Sequence, residues 1–177
     1  MIIKKTMFKD LLIVKQKNNV DKRGSLRETF NKKILKKKFV FEYCTTSKKN
    51  VLRGFHFQTK NKQSKYINVV KGKILDVVID LRKKSKTFGK TFKIILSKDN
   101  ALGLYIPAGF AHAYYSFDKE NIIYYKLDNF YSPKHESGII FNDPIINFKW
   151  PNKKMKISRK DKKLLTISKF KKEIKHL

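Results

Sequence analysis

The chain reads as an all-β protein, an antiparallel sandwich or barrel with short helices, one of them near the C-terminus. Two observations carry that reading. Turn residues recur about every 8–12 residues, the rhythm of short hairpin-linked strands. Between the turns, apolar and polar side chains alternate, which is the pattern of strands with one buried face. Helix signals occur in only two places.

Leu11–Val14 is a short apolar strand. In Asp21–Phe30 (DKRGSLRETF), Arg-Gly marks a turn and Leu26, Glu28 and Phe30 alternate after it. Asn31 is suited to cap a helical turn running through Lys38. Phe39–Thr46 alternates as a strand with Phe39, Phe41 and Tyr43 on one face. Val51–Gln58 (VLRGFHFQ) follows. Strict alternation puts Leu52, Gly54, His56 and Gln58 on one face, with Val51, Arg53, Phe55 and Phe57 on the other. Ser64–Lys71 and Lys73–Arg82 are two further strands joined at Gly72. In the second, Leu75, Val77, Ile79 and Leu81 share a face, opposite Asp76, Val78 and Asp80. Thr91–Leu96, Ala101–Ile106, the turn Pro107–Phe110, His112–Phe117 and Asn121–Leu127 complete the series. A tail helix is expected from Ser158, whose hydroxyl caps it and which carries Asp161 in its first turn.

At 177 residues with 41% hydrophobic content, one domain with a real core is expected, and neither disorder nor a second full domain. No apolar run approaches ~18 residues, so no membrane span is expected. The N-terminal apolar run of four residues is too short for a signal-peptide core. One cysteine, Cys44, excludes an intrachain disulfide framework and fits a reducing cytoplasm. The net charge of +29 comes from 43 basic residues, of which five are arginine. Nucleic-acid readers concentrate arginine forks and aromatics on one face. A lysine coat spread along the whole chain is a solvated surface that attracts anionic ligands, so specific nucleic-acid binding is not expected.

His56 sits in an apolar run beside Gly54, a residue that lets a backbone or ligand approach closely. Arg53, Lys65, Asp76, His112, Tyr125, Tyr131 and Asp161 are the charged and polar candidates to stand near it. A carboxylate-oriented imidazole is a general base, a tyrosine across a pocket a general acid, and a nearby cation an oxyanion stabiliser. That set suits proton abstraction next to a carbonyl. A metal centre fits less well. Pro107–His112 (PAGFAH) matches the second half of a metal-binding jelly-roll motif, but the first half is His56-Phe-Gln58 with Lys and Asn where the glutamate belongs. Two imidazoles and an amide are a poor set for zinc or iron.

VLRGFHFQ, SKYINVVKGKILDVVIDLR, SKTFGK, YIPAGFAHAY, YYKLDNFYSPKHESGIIFNDP and KWP occur in the order and spacing of the dTDP-4-dehydrorhamnose 3,5-epimerase family, which this chain resembles over roughly residues 5–165. The resemblance implies a cupin-type jelly roll over residues 1–177 with a basic tail from about 166. It also implies a homodimer, no metal or other cofactor, and epimerisation of a nucleotide-linked 4-keto-6-deoxyhexose. His56 matches the base, Asp161 the aspartate paired with it, and Tyr125 the acid on the opposite face. Lys65 and Arg53 match groups near the sugar and developing enolate. Arg23, Glu28, His112, Glu136 and Lys160 match other substrate contacts, some reaching across the dimer. Tyr131 matches the aromatic that stacks on the base. Gln58, on the face of His56, joins the substrate contacts.

Asp76 is a rival partner for His56 or His112, and His112 is equally readable as structural. His135 and His176 are assigned nothing. Arg23, Lys65 and Lys160 make a candidate anion funnel. The chain departs from the family where a Gln-x-Asn pair is replaced by Phe41-Glu-Tyr43, so Phe41 and Tyr43 take over that pocket face and leave sugar and nucleotide open. Alternatives are inversion at C3 or C5 alone, a ketoisomerase on a related nucleotide sugar, or a non-enzymatic basic binding module.

Overall fold

Alternation along the chain is realised as a set of short strands: β1 (Ile2–Lys5), β2 (Leu12–Lys15), β3 (Lys17–Asp21), β4 (Gly24–Glu28), β5 (Phe41–Lys48), β6 (Leu52–Gln58), β7 (Lys65–Lys71), β8 (Lys73–Asp80), β9 (Thr91–Ser97), β10 (Leu102–Ile106), β11 (Phe110–Ser116), β12 (Glu120–Leu127) and β13 (Glu136–Gly138). Two short helices accompany them, α1 (Lys32–Leu35) and α2 (Ile167–Glu173). This computed structural model describes residues 1–173; His176 lies outside them. A six-stranded sheet runs β1-β2-β10-β7-β12-β5 and a five-stranded sheet runs β13-β6-β11-β8-β9, with every neighbouring pair antiparallel. The hairpin β3-β4 forms a third, separate pair.

The two large sheets face each other across a shared core. Ile67, Val69, Leu104, Ile106, Ile123 and Leu127 point inward from one sheet, and Ile74, Val78, Leu96 and Phe110 from the other. Each fully buried side chain of this size contributes roughly 1.5–3 kcal/mol, so this layer outweighs any surface ion pair. The outer face of the five-stranded sheet is buried as well. Phe55, Phe57, Val77, Ile79 and Leu81 lie under Ile139, Trp150, Ile167 and Phe170 of the C-terminal segment. Burial on both faces explains why β8 reads as a nearly continuous apolar run. It also means that the β8 carboxylates need partners. Asp80 accepts from Arg82 Nε at 2.9 Å, Ser85 Oγ at 2.6 Å and Thr87 Oγ1 at 2.6 Å.

Several sequence expectations are corrected here. The helical turn after Asn31 does not reach Lys38. Asn31 caps it by accepting from the Lys33 N–H, but Lys36 turns left-handed at φ 50° and closes it. Phe39 falls outside β5 and packs on Phe30 and Tyr66 instead. The tail helix begins at Ile167 rather than at Ser158. Ser158 Oγ does take the Asp161 N–H, but only a three-residue 3-10 turn, Asp161–Lys163, follows. Leu165 then bridges Ile139 in parallel, which pulls the chain straight before α2 can start.

The most consequential correction concerns β6. Its register on β11 runs His56↔His112 and then Arg53↔Tyr114, three steps on one strand against two on the other. This bulge turns Arg53 to the side of His56, where strict alternation had separated them. Gly54 sits in the bulge at φ +109°, and a Cβ there would stand 2.4 Å from the His112 carbonyl oxygen. Gly54→Ala is therefore expected to destabilise the protein by at least ~2 kcal/mol through backbone strain and overpacking. Urea unfolding checks this, and an unchanged midpoint would contradict it.

Candidate active site

The bulge brings Arg53 and His56 to the wall of a cleft that reaches into the space between the sheets. From the turn after Ser158, Asp161 packs behind them, 3% exposed. Its carboxylate lies 2.9 Å from His56 Nε2 and accepts the Gly54 N–H at 3.2 Å. Burial pushes the Asp161 carboxyl up, but the hydrogen bonds with His56 and the Gly54 N–H, helped by Ser158, outweigh it and hold it below the usual carboxylate range. An ionised carboxylate only accepts, so Nε2 donates to it, which leaves Nδ1 as the nitrogen not engaged by Asp161.

The opposed sheet supplies the other wall. Tyr43 and Thr45 from β5, Lys65 from β7 and Tyr125 from β12 join Arg53, His56, His112 and Tyr114 around a cavity of about 170 Å³. Burial pushes the Lys65 amine down to about 8, with Glu136 and Asp76 pulling the other way. The Tyr125 phenol is pushed well up by burial and by Tyr114, Tyr43 and Asp76, against a hydrogen bond with Thr45, so it stays protonated. Tyr114 is placed differently, its hydroxyl shared with Ser47 Oγ at 2.8 Å and Thr45 Oγ1 at 3.1 Å. His112 Nε2 lies 2.8 Å from Asp76 Oδ2. Burial pushes this imidazole below its ordinary value despite the pull of Asp76.

Toward the rim, His56, Lys65 and Tyr43 also border a smaller hollow of about 80 Å³ with Gln58, Gln63, Tyr131 and Glu136. Glu136 accepts hydrogen bonds from the Tyr131 hydroxyl and from Lys160 Nζ. On the other side of His56, Arg53, Lys156, Lys160 and Asp161 line a basic hollow of about 430 Å³. A larger one, about 490 Å³ around Met7, Lys9, Arg82 and Thr87, contains no imidazole and lies apart from this chemistry.

Residues 5–169 match the family model described as dTDP-4-dehydrorhamnose 3,5-epimerase. A relative of that name from Salmonella typhimurium is 39% identical over 169 residues, covering 91% of this chain and 92% of the relative. Among solved structures, the Elizabethkingia anophelis dTDP-4-dehydrorhamnose 3,5-epimerase superposes with a TM-score of 0.89 at 34% identity, over 98% of each chain. A Legionella pneumophila dTDP-6-deoxy-D-glucose-3,5-epimerase, solved in complex with dTDP-4-keto-L-rhamnose, gives 0.90 at 33% identity, over 94% of this chain and 93% of that one. The chain belongs to the dTDP-4-dehydrorhamnose 3,5-epimerase family. It is an enzyme of the isomerase class with the cupin-type architecture of that family. Among the described residues, no helix is long and apolar enough to cross a membrane.

The residues that the sequence nominated fall into three groups. His56, Arg53, Lys65, His112, Tyr125 and Tyr43 share the inner cavity. Gln58, Tyr131 and Glu136 border the rim hollow, Lys160 and Asp161 flank His56 from the other side, and Phe41 packs against Tyr43 and Phe130. Arg23 and Glu28 are not brought to this cleft. Arg23, with 84% of its side chain exposed, pairs with Asp21 at the tip of the β3-β4 hairpin and lines a hollow that holds neither Lys65 nor Lys160 of the same chain. Glu28 accepts from Asn31 Nδ2 at 2.5 Å on β4. Asp76, the rival carboxylate, engages His112 and leaves His56 to Asp161.

Thr45 and Tyr114 line the cavity but were not nominated. Extending the Phe41, Tyr43 alternation by two residues would have found Thr45. Gln58 is committed to holding the rim together. Its Oε1 accepts the Ser132 N–H at 2.6 Å, and its Nε2 donates to the Asn61 carbonyl at 2.7 Å. Gln58→Met strands those groups at a cost of ~1–3 kcal/mol. Hydrogen exchange in the segment around Ser132 should accelerate, and unchanged protection would show that Gln58 does not anchor this rim.

Proposed function

We propose that this chain inverts C3, C5 or both in a dTDP-linked 4-keto-6-deoxyhexose without a metal or other cofactor. The observation that carries this is the pairing of His56, from one sheet, with Tyr125, from the other, across a single cavity. The keto-sugar complex of the Legionella relative supports the choice of substrate.

His56 Nδ1 removes the proton from the carbon next to the C4 ketone. The C–H electron pair becomes the new C=C bond and the carbonyl π pair moves onto oxygen, giving an enolate. Lys65, cationic below about 8, offsets the charge on that oxygen, with Arg53 beside it. The oxygen pair then re-forms the carbonyl as the C=C pair takes the phenolic proton of Tyr125 on the same carbon from the opposite face; Tyr125 is reprotonated from solvent and His56 releases the abstracted proton to solvent. A positioned base contributes ~10²–10⁴-fold, and an oxyanion donor about 3–4 kcal/mol. Tyr131 stacks on the nucleotide base, while Arg53 and Lys160 meet the phosphates. His112, Gln58, Glu136, Phe41 and Tyr43 complete the substrate contacts.

Arg23 and Glu28 belong to the same reading through a homodimer, in which the β3-β4 hairpin reaches the partner's cleft. Val20 and Leu26, 73% and 70% exposed on that hairpin, support such a contact. A reducing, cytoplasmic setting is part of the reading, on the strength of the single exposed Cys44.

Incubation of dTDP-, GDP- and CDP-linked 4-keto-6-deoxy sugars in D₂O, with deuterium read by position, tests the proposal. Deuterium should enter C3 or C5 of the dTDP sugar with inversion, and no incorporation into any of them would refute it. His56→Ala should lower uptake by at least ~10²-fold, and normal uptake would remove His56 as base. Tyr125→Phe should continue to exchange while inverting slowly; full inversion would reassign the acid. Because the Lys65 ammonium loses its proton near 8, kcat/KM should fall as pH rises through about 8. Lys65→Arg, which remains charged, should carry that limb to higher pH; an unmoved limb would mean that another group titrates.

A further inference from the structure

A proton donor poses a mechanical difficulty. Its hydroxyl must be free to give up hydrogen, so its ring has to be held by packing rather than by strong bonds to its oxygen. Tyr114, in the same cavity, shows the alternative, with its oxygen engaged by Ser47 and Thr45. Tyr125 meets the Thr45 hydroxyl, but its ring is gripped mainly by other rings. Tyr43 is its direct cross-strand partner, and their rings stack at 4.7 Å with planes 19° apart. His112 meets Tyr125 edge-on at 6.2 Å. Tyr43 is backed in turn by Phe41 at 5.8 Å, and Phe41 by Phe130 at 6.3 Å. An aromatic ladder thus runs from the exposed rim down to the phenol.

We propose that Tyr43 is the positioning residue for the proton donor, its stacked ring aiming the Tyr125 hydroxyl at the face of the enolate opposite His56. The inference rests on the epimerase reading. Its consequence is specific. A donor ring free to swing delivers late, and the enolate then recovers its proton from the His56 side, which gives exchange without inversion. The stack therefore sets how each enolate partitions, an effect separate from the contact Tyr43 makes with the substrate.

The test uses the full chain and a dTDP-linked 4-keto-6-deoxyglucose in D₂O, with NMR separating deuterium retained in the original configuration from deuterium in inverted product. Tyr43→Leu and Tyr43→Asn should raise exchange-with-retention relative to inversion by ~10-fold, since small misplacements of a reacting group are costly. KM should rise as well, because Tyr43 lines the substrate cavity, but the ratio is read independently of it, and Tyr43→Phe should restore the ratio. An unchanged ratio, a Phe variant that behaves like Leu, or a loss confined to KM would each overturn the proposal. So would failure of both the Leu and Asn variants to fold, which would make Tyr43 a core residue. If the unmodified chain neither exchanges nor inverts, the epimerase reading falls and takes this inference with it. If the unmodified chain is active and the variants match it, only the inference falls.

Discussion

Asp161 reaches the cleft from a short turn more than a hundred residues beyond β6, and there it accepts the Gly54 N–H and the Nε2 proton of His56 through its two oxygens. A buried carboxylate costs several kcal/mol in lost hydration unless its oxygens are satisfied. Here both are, and the consequences spread outward. The Nε2 side of the imidazole is fixed against the carboxylate. The C-terminal segment, which also covers the outer face of the five-stranded sheet with Ile167 and Phe170, is tied to the strand that carries His56. The β6 bulge is held in place, because Gly54 must present its N–H to Asp161 while lying against the His112 carbonyl.

The same residue types take different parts according to their surroundings. His56 and His112 each have a carboxylate, yet His112 is fully enclosed and held neutral by burial, whereas His56 stands with 28% of its side chain exposed at the junction of three hollows. Tyr114 and Tyr125 line one cavity, but Tyr114 has its hydroxyl shared between Ser47 and Thr45, whereas Tyr125 is held chiefly by its stacked neighbour Tyr43. Lys65 differs from the lysines of the surface for a similar reason. Burial, with Glu136 and Asp76 pulling against it, leaves an amine poised near 8 in the middle of the cleft.

Much of this was legible in the sequence because period two is a local property. Most of the strand series and the face shared by Val77, Ile79 and Leu81 follow from alternation, and the Asp21–Gly24 turn from its Arg-Gly pair, whereas β1, β3 and β13 were not read from the sequence. What was illegible depends on contacts between distant segments. Arg53 joins His56 only because Gly54 allows β6 to bulge against β11. The Ser158 cap was readable, but the bridge between Leu165 and Ile139 that delays the helix was not. The choice between Asp76 and Asp161 likewise needed the third dimension, since either spacing is compatible with a nearby imidazole. Family resemblance supplied the pairing that spacing could not, and the geometry agrees with it at 2.9 Å.

The central claim is that Asp161 acts through His56. A double-mutant cycle on the rate of deuterium entry into the keto sugar measures this directly. Asp161→Ala should slow exchange by ~10²-fold in the otherwise intact protein and cause no further loss once His56 is Ala. Losses that simply add would mean that the carboxylate and the imidazole work independently, and the account would be wrong.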